Sequence, residues 1–199
     1  MSRLAGRTKE HLPESYANLA RCDIERTLHA MVDVIVDDLL DTGVAEMQGF
    51  ATFKVYEYGG RRYYNPYTGE HDQHTEPCYR VVARIARNVR ASVNGDGGSD
   101  YVPKPSAATK SMAGRVRERI DCLLTKEEVA DILVACANTC IDDLMDNGQV
   151  RIPGIITVKV FKAPDMRMNL RTGRIEPVNG EYRISCTISP QLKRKMNEV

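Results

Sequence analysis

The chemistry-bearing side chains of this chain gather in two basic, polar stretches. The first holds Lys54, Arg61, Arg62, Arg80, Arg84, Arg87 and Arg90, with Tyr63, Tyr64, Asn65, Pro66 and Tyr67 set among them. The second holds Arg151, Lys159, Lys162, Arg167, Arg171, Arg174, Arg183, Lys193, Arg194 and Lys195, with Asn169 and Leu170 near its middle. Lysine and arginine in such numbers neutralise phosphates and release counterions, which gives affinity without sequence information. Catalytic patterns are sparse: there is no phosphate-cradling glycine loop and no Ser-His-Asp arrangement in a recognisable context. His71-Asp72-Gln73-His74, with Cys78 beyond, offers metal-ligating residue types. Two histidines at that spacing on an extended segment point to opposite faces, so ordinary polar residues are the favoured reading. His11 and His29 stand alone. An enzyme is not expected, nor is a metal or a cofactor.

The elements that position these residues come in duplicate. Residues 39–55 and 144–160 share one pattern at a constant offset: Asp41, Gly43, Gly49, Thr52, Lys54 and Val55 recur as Asp146, Gly148, Gly154, Thr157, Lys159 and Val160. Downstream, Asn65-Pro66-Tyr67-Thr68-Gly69 is echoed by Asn169-Leu170-Arg171-Thr172-Gly173, one residue out of step. Such internal similarity marks a duplication. Between the copies, residues 94–108 are rich in Gly, Ser and Pro and read as a linker. The expected domains are therefore 1–93 and 109–199.

Each copy carries a long amphipathic helix. Ile24, Leu28, Met31, Val32, Ile35, Val36, Leu39 and Leu40 recur at helical spacing, with Asp33, Asp37, Asp38 and Asp41 on the other face. Val129, Ile132, Leu133, Cys136, Cys140 and Leu144 do the same, with Asp142, Asp143 and Asp146 outside. Asp23 and Thr125 are candidate N-caps, and Glu128 completes a capping box with Thr125. Gly43 and Gly148 stop the helices. Shorter helices are expected before them, over 13–21 with Pro13 in the first turn, and over 109–122. A short strand follows each long helix, with Ala45 and Met47, or Val150 and Ile152, inward. Then come a glycine turn, a second strand running into a β-hairpin arm, a return strand (77–82 and 182–188) and a terminal helix, the last starting at Pro190.

Composition sets limits. Of 199 residues 42% are hydrophobic and none is Trp, so the core rests on Leu, Ile, Val, Ala and Met. No apolar run approaches the roughly 20 residues of a membrane span, and nothing behind Met1-Ser2-Arg3-Leu4 resembles a secretory signal. A soluble, intracellular protein is expected. Cys22, Cys78, Cys122, Cys136, Cys140 and Cys186 form no CxxC pair and read as reduced core thiols. The formal net charge is only +1, so charge must be sorted by face: an acidic helical base and a basic upper surface.

A helical hairpin, then Gly49-Phe50-Ala51-Thr52-Phe53-Lys54-Val55, then Arg61-Arg62-Tyr63-Tyr64-Asn65-Pro66-Tyr67-Thr68-Gly69-Glu70, then Pro77-Cys78-Tyr79-Arg80, together resemble the bacterial HU/IHF family. The resemblance covers nearly all of 13–94 and, more weakly, 109–199. It implies an α+β fold in which two IHF-like domains form an intramolecular pseudo-dimer, with a helical base, a β-saddle and two β-hairpin arms around double-stranded DNA. It further implies DNA-contacting roles for Lys54, Arg61, Arg62, Tyr64, Asn65, Pro66, Arg80, Arg84, Arg87, Lys159, Lys162, Arg167, Asn169, Leu170, Arg171, Arg174, Arg183, Lys193 and Lys195. Pro66 takes the place of the family's wedge, which unstacks base pairs and kinks the duplex. Leu170 replaces that proline in the second copy, and Tyr64 stands where an arginine usually precedes Asn-Pro, so two unequal kinks are expected. Sequence preference should be weak and come from DNA deformability. The resemblance also implies a cytoplasmic place, on a nucleoid or on viral DNA in an infected cell.

A second reading keeps the fold and changes the partner. With so little net charge, the pair of copies could serve as an assembly protein of a phage or virus particle. The copies could also pair between chains. A linker of about fifteen residues reaches ~50 Å when extended, which permits pairing within one chain without enforcing it.

Overall fold

The apolar spacing that predicts two long helices is realised in both copies. The computed structural model describes residues 1–59, 78–95, 106–163, 166–168, 175–177 and 182–198. The first copy runs α1 (Ser2–Glu10), a single 3₁₀ turn (Glu14–Tyr16), α2 (Arg21–Asp41), β1 (Val44–Met47), β2 (Ala51–Tyr58), β3 (Cys78–Ile85) and α3 (Arg87–Asn94). The second runs α4 (Ala107–Arg117), α5 (Lys126–Asn147), β4 (Gln149–Ile152), β5 (Ile156–Lys162), β6 (Met166–Met168), β7 (Ile175–Pro177), β8 (Tyr182–Ile188) and α6 (Pro190–Asn197). Two antiparallel sheets result, β1-β2-β3 and β4-β5-β8, with β6 and β7 as a separate two-stranded pair. Residues 169–174, between β6 and β7, and the arm residues 60–77 lie outside the described residues.

The first short helix is not where the sequence pattern placed it. Helix α1 covers residues 2–10, and 13–20 hold only the 3₁₀ turn and a connection to α2. Pro13 precedes the 3₁₀ turn as its N-cap, in the extended backbone usual there at φ −56°, ψ 155°, and none of the turn's three residues is buried. The governing signal lies upstream: Leu4, Ala5 and Thr8 bury one face of α1, as Met112, Ala113 and Val116 bury one face of α4. Asp23 is not a cap either. Helix α2 starts at Arg21 after Ala20, and Asp23 lies in its first turn, where a carboxylate suits the helix dipole. The Thr125 capping box is present: Thr125 N–H donates to Glu128 Oε2 at 2.6 Å and Glu128 N–H to Thr125 Oγ1 at 3.2 Å.

The two copies share one core. Ile24, Leu28, Ile35, Phe50 and Phe53 from the first join Ile132, Cys136, Leu144, Ile155 and Ile156 from the second in a single buried cluster. Each short helix bridges both long ones, α1 lying on α2 and α5 and α4 on α5 and α2. Pairing thus occurs within the chain. Ala45, Met47, Val150 and Ile152 point inward as their alternation predicts. The thiols divide: Cys136 and Cys140 are core, whereas Cys22 and Cys78 are exposed and depart from that expectation. The hydrogen bond with Cys136, together with burial, holds the Cys140 thiol well above its ordinary range.

The acidic faces of the long helices are not simply solvated. Arg7 of α1 reaches Asp143 of α5 at 2.6 Å, and the equivalent Arg115 of α4 grips Asp38 of α2 through both guanidinium nitrogens, one at 3.0 Å. A second, more exposed pair follows the same symmetry, His11 with Asp142 at 3.4 Å and Arg119 with Asp37 at 2.5 Å. Asp38 and Asp143 keep only 18% side-chain exposure. Tyr16 adds a further cross-copy bond, its hydroxyl donating to Asp131 Oδ2 at 2.5 Å.

Backbone constraints mark the same interface. Gly154 turns β4 into β5 at φ +86°, and a Cβ there would come within 3.2 Å of Val32 Cγ1 on the other copy. Gly154→Ala is expected to cost about 2 kcal/mol, from the left-handed backbone and this contact, as read by urea unfolding. Thr8 is fully buried and its hydroxyl has no partner among the described residues, while Val116 takes its place in the second copy. Thr8→Val should stabilise by about 1 kcal/mol in the same assay. The Asp131 hydrogen bond pushes the Tyr16 phenol up to about 12. A pKa raised on folding gives stability that is whole below the unfolded value, near 10, and lost as pH rises through the folded one. Unfolding free energy should therefore fall between about pH 10 and 12, and Tyr16→Phe should remove that fall.

Candidate nucleic-acid interface

Strand alternation decides which basic residues share a surface. In β2 and β3 the inward set is Ala51, Phe53 and Val55 with Val81, Ala83 and Ile85, all against the core. The opposite set pairs Thr52 with Arg84, Lys54 with Val82, Tyr56 with Arg80 and Tyr58 with Cys78. In the second copy Thr157 pairs with Thr187, Lys159 with Ser185 and Phe161 with Arg183. The edge strands continue these rows with Val44 and Glu46, and with Gln149 and Arg151. Strand β3 lies beside β8, and both sheets back onto the same core, so their outer faces form one broad surface. Lys54, Arg80, Arg84, Arg151, Lys159 and Arg183 are exposed on it.

Local packing holds some of these cations in place. The Arg80 guanidinium carbon lies 4.7 Å from the centre of the Tyr58 ring, a cation–π contact that keeps it on the outer face. Tyr56, Val82 and Phe161 stay near half exposed beside the cations, so the surface mixes charge with flat apolar area. Alternation also separates one predicted residue from the rest. Lys162 pairs with Tyr182, opposite in parity to Lys159 and Phe161. Arg87, Lys193 and Lys195 are exposed on the terminal helices rather than on the sheets. Arg167 lies on β6, across from Glu176. Arg61, Arg62, Tyr64, Asn65, Pro66, Asn169, Leu170, Arg171 and Arg174 lie outside the described residues. Arg151 is absent from the sequence-predicted contacts, yet joins the outer face through its alternation with buried Val150 and Ile152.

Residues at the start of the return strands β3 and β8 are each bonded to an asparagine of the other copy's terminal helix. Tyr79 N–H donates to Asn197 Oδ1 at 2.9 Å, and Asn197 Nδ2 donates back to Tyr79 O at 3.1 Å. Across the pseudo-two-fold, Tyr182 N–H donates to Asn94 Oδ1 at 2.8 Å. No sequence signal marks these asparagines apart from their matching places at the ends of α3 and α6. Burial raises the Cys186 thiol, which faces inward opposite Val158. Cys78, the described member of the His71, His74 and Cys78 group, is exposed and sits across from Tyr58. Among the described residues no group of three or more His, Cys, Asp or Glu is placed to hold a metal ion. Nor is any described helix long and apolar enough to cross a membrane.

Fold and surface together define a tandem α+β pseudo-dimer, two helix-and-sheet copies closed around one core and presenting a basic saddle. A family model described as bacterial DNA-binding protein matches the chain twice, over residues 9–94 and 108–197. The chain belongs to this family, the HU/IHF family, as a two-copy fusion, and the family binds DNA. Comparison with curated proteins and with solved structures finds no match.

Proposed function

We propose that this protein is an architectural binder of duplex DNA that bends it with little regard to sequence. The observation that carries the reading is the shared outer face of the two sheets, with Lys54, Arg80 and Arg84 from one copy and Arg151, Lys159 and Arg183 from the other. These six cations would neutralise phosphates along the saddle, and Arg87, Lys193 and Lys195 would extend the footprint at its flanks. The arms would reach around the duplex, with Arg61, Arg62, Tyr64, Asn65, Arg167, Asn169, Arg171 and Arg174 against backbone and sugars. Pro66 and Leu170 would act as wedges, each costing a few kcal/mol of unstacking that is offset by the surface bent DNA can reach. Lys162 would contribute from the side of the saddle, given its parity. We take 1–93 and 109–199 as the two domains and 94–108 as the connector. The protein would act where its DNA lies, on a nucleoid or a viral genome.

The test is binding to an end-labelled duplex across a salt series, with end-to-end energy transfer read on the same samples. Affinity should fall steeply with salt, and DNA ends should draw together. Replacing Lys54, Arg80 or Arg183 by Ala should each lower the salt slope by about 0.9. Pro66→Ala and Leu170→Ala should reduce bending while leaving that slope nearly unchanged. Absence of duplex binding at low salt, together with salt-insensitive self-association, would favour the assembly reading instead.

A further inference from the structure

Strands β3 and β8 each end a three-stranded sheet, so each has an edge with no ladder partner among the described residues. They lie side by side without pairing to each other. An open edge needs its N–H and C=O groups satisfied or covered. At Tyr79 both groups are met by one side-chain amide, that of Asn197 at the end of the other copy's terminal helix. The amide has an acceptor and a donor side by side, as a single residue of an extended strand has in its own C=O and N–H, and so stands in for a missing strand residue. Its Nδ2 also donates to Lys193 O at 2.8 Å, tying the same group to its own helix. The second site shares the acceptor half of the plan: Asn94 Oδ1 accepts from Tyr182 N–H while Nδ2 donates to Arg90 O of its own helix at 3.1 Å.

Place gives the clasp its consequence. Tyr79 is the second residue of β3 and Tyr182 the first of β8, so both stand at the end of the segments that the DNA-bending reading takes as arms. The helices that hold them are firmly seated: α6 by Leu192 and Met196, α3 by Val89, all nearly fully buried. Each arm root is therefore tied to a rigid element of the copy it does not belong to. A hairpin's direction is set where it leaves its sheet, and small changes at the root grow toward the tip. We propose that Asn197 and Asn94 are positioning residues that aim the arm of the opposite copy, so the two arms are cross-braced. This rests on the DNA-bending reading above.

The experiment is a set of double-mutant cycles on the full chain, read as the DNA bend from energy transfer, with hydrogen exchange of the Tyr79 and Tyr182 amides measured on free protein. Asn197→Ala should speed Tyr79 exchange roughly tenfold, the loss of about one net hydrogen bond, and leave Tyr182 unchanged. On bending it should be non-additive with Pro66→Ala and additive with Leu170→Ala. Asn94→Ala should give the reverse. Asn197→Asp keeps the acceptor and loses the donor, so it should restore part of the bend; it also takes the place of the alanine variant should that fail to fold. Coupling to the wedge of the same copy, additivity with both wedges, or unchanged Tyr79 exchange would overturn the proposal. If the unaltered protein does not bend duplex DNA, the functional reading fails while the exchange data still decide whether the clasp exists.

Discussion

The two copies close around one shared core, and that sharing organises the molecule. One long helix over one face of a three-stranded sheet leaves apolar surface on the helix's far side, and a unit of this size buries a modest share of its surface. Helix α2 covers that remainder with α4 and α5, and α5 covers its own with α1 and α2. The hydrophobic effect does not distinguish the copies, and one continuous cluster results. The connection between copies raises the effective concentration of each for the other.

Once the helices are shared, electrostatics follows. Four aspartates of α2 and α5 meet arginines and a histidine on, or just after, the short helices of the opposite copy. Asp38 holds the Arg115 guanidinium above its ordinary range. Pairs this close to the surface contribute about 0–1 kcal/mol each, so they fix the docking angle more than they add stability. Negative charge is thus gathered at the helical side, and the outer sheet face keeps its cations. A net charge of +1 is compatible with a basic surface because the two signs occupy different layers.

Fusion lets the halves diverge, and they have. On the outer face Glu46 of the first copy corresponds to Arg151 of the second, and Arg84 corresponds to Thr187. In the first half the cation sits beside the centre with an acid at the edge; in the second the cation sits at the edge. His11 against Arg119 repeats the asymmetry at the base. A homodimer of identical subunits has no such freedom, since every substitution appears twice.

What the residue order determined by itself was the repeat, the long helices, the inward face of the first short strand in each copy, the Thr125 capping box and the family. All of these rest on local periodicity or on residue types at fixed spacing, which the chain carries wherever it folds. The first short helix escaped such reading because three apolar positions in a polar stretch gain their meaning from the groove between α2 and α5. The split among cysteines, the pairing of Asp38 and Asp143, and the need for glycine at 154 beside Val32 likewise depend on contacts between residues far apart in the chain. So does the clasp of Asn94 and Asn197, two ordinary polar residues until a foreign strand edge lies beside them. Tertiary structure decided these because hydrogen bonds and steric contacts form between neighbours in space, and only the shared core made these residues neighbours.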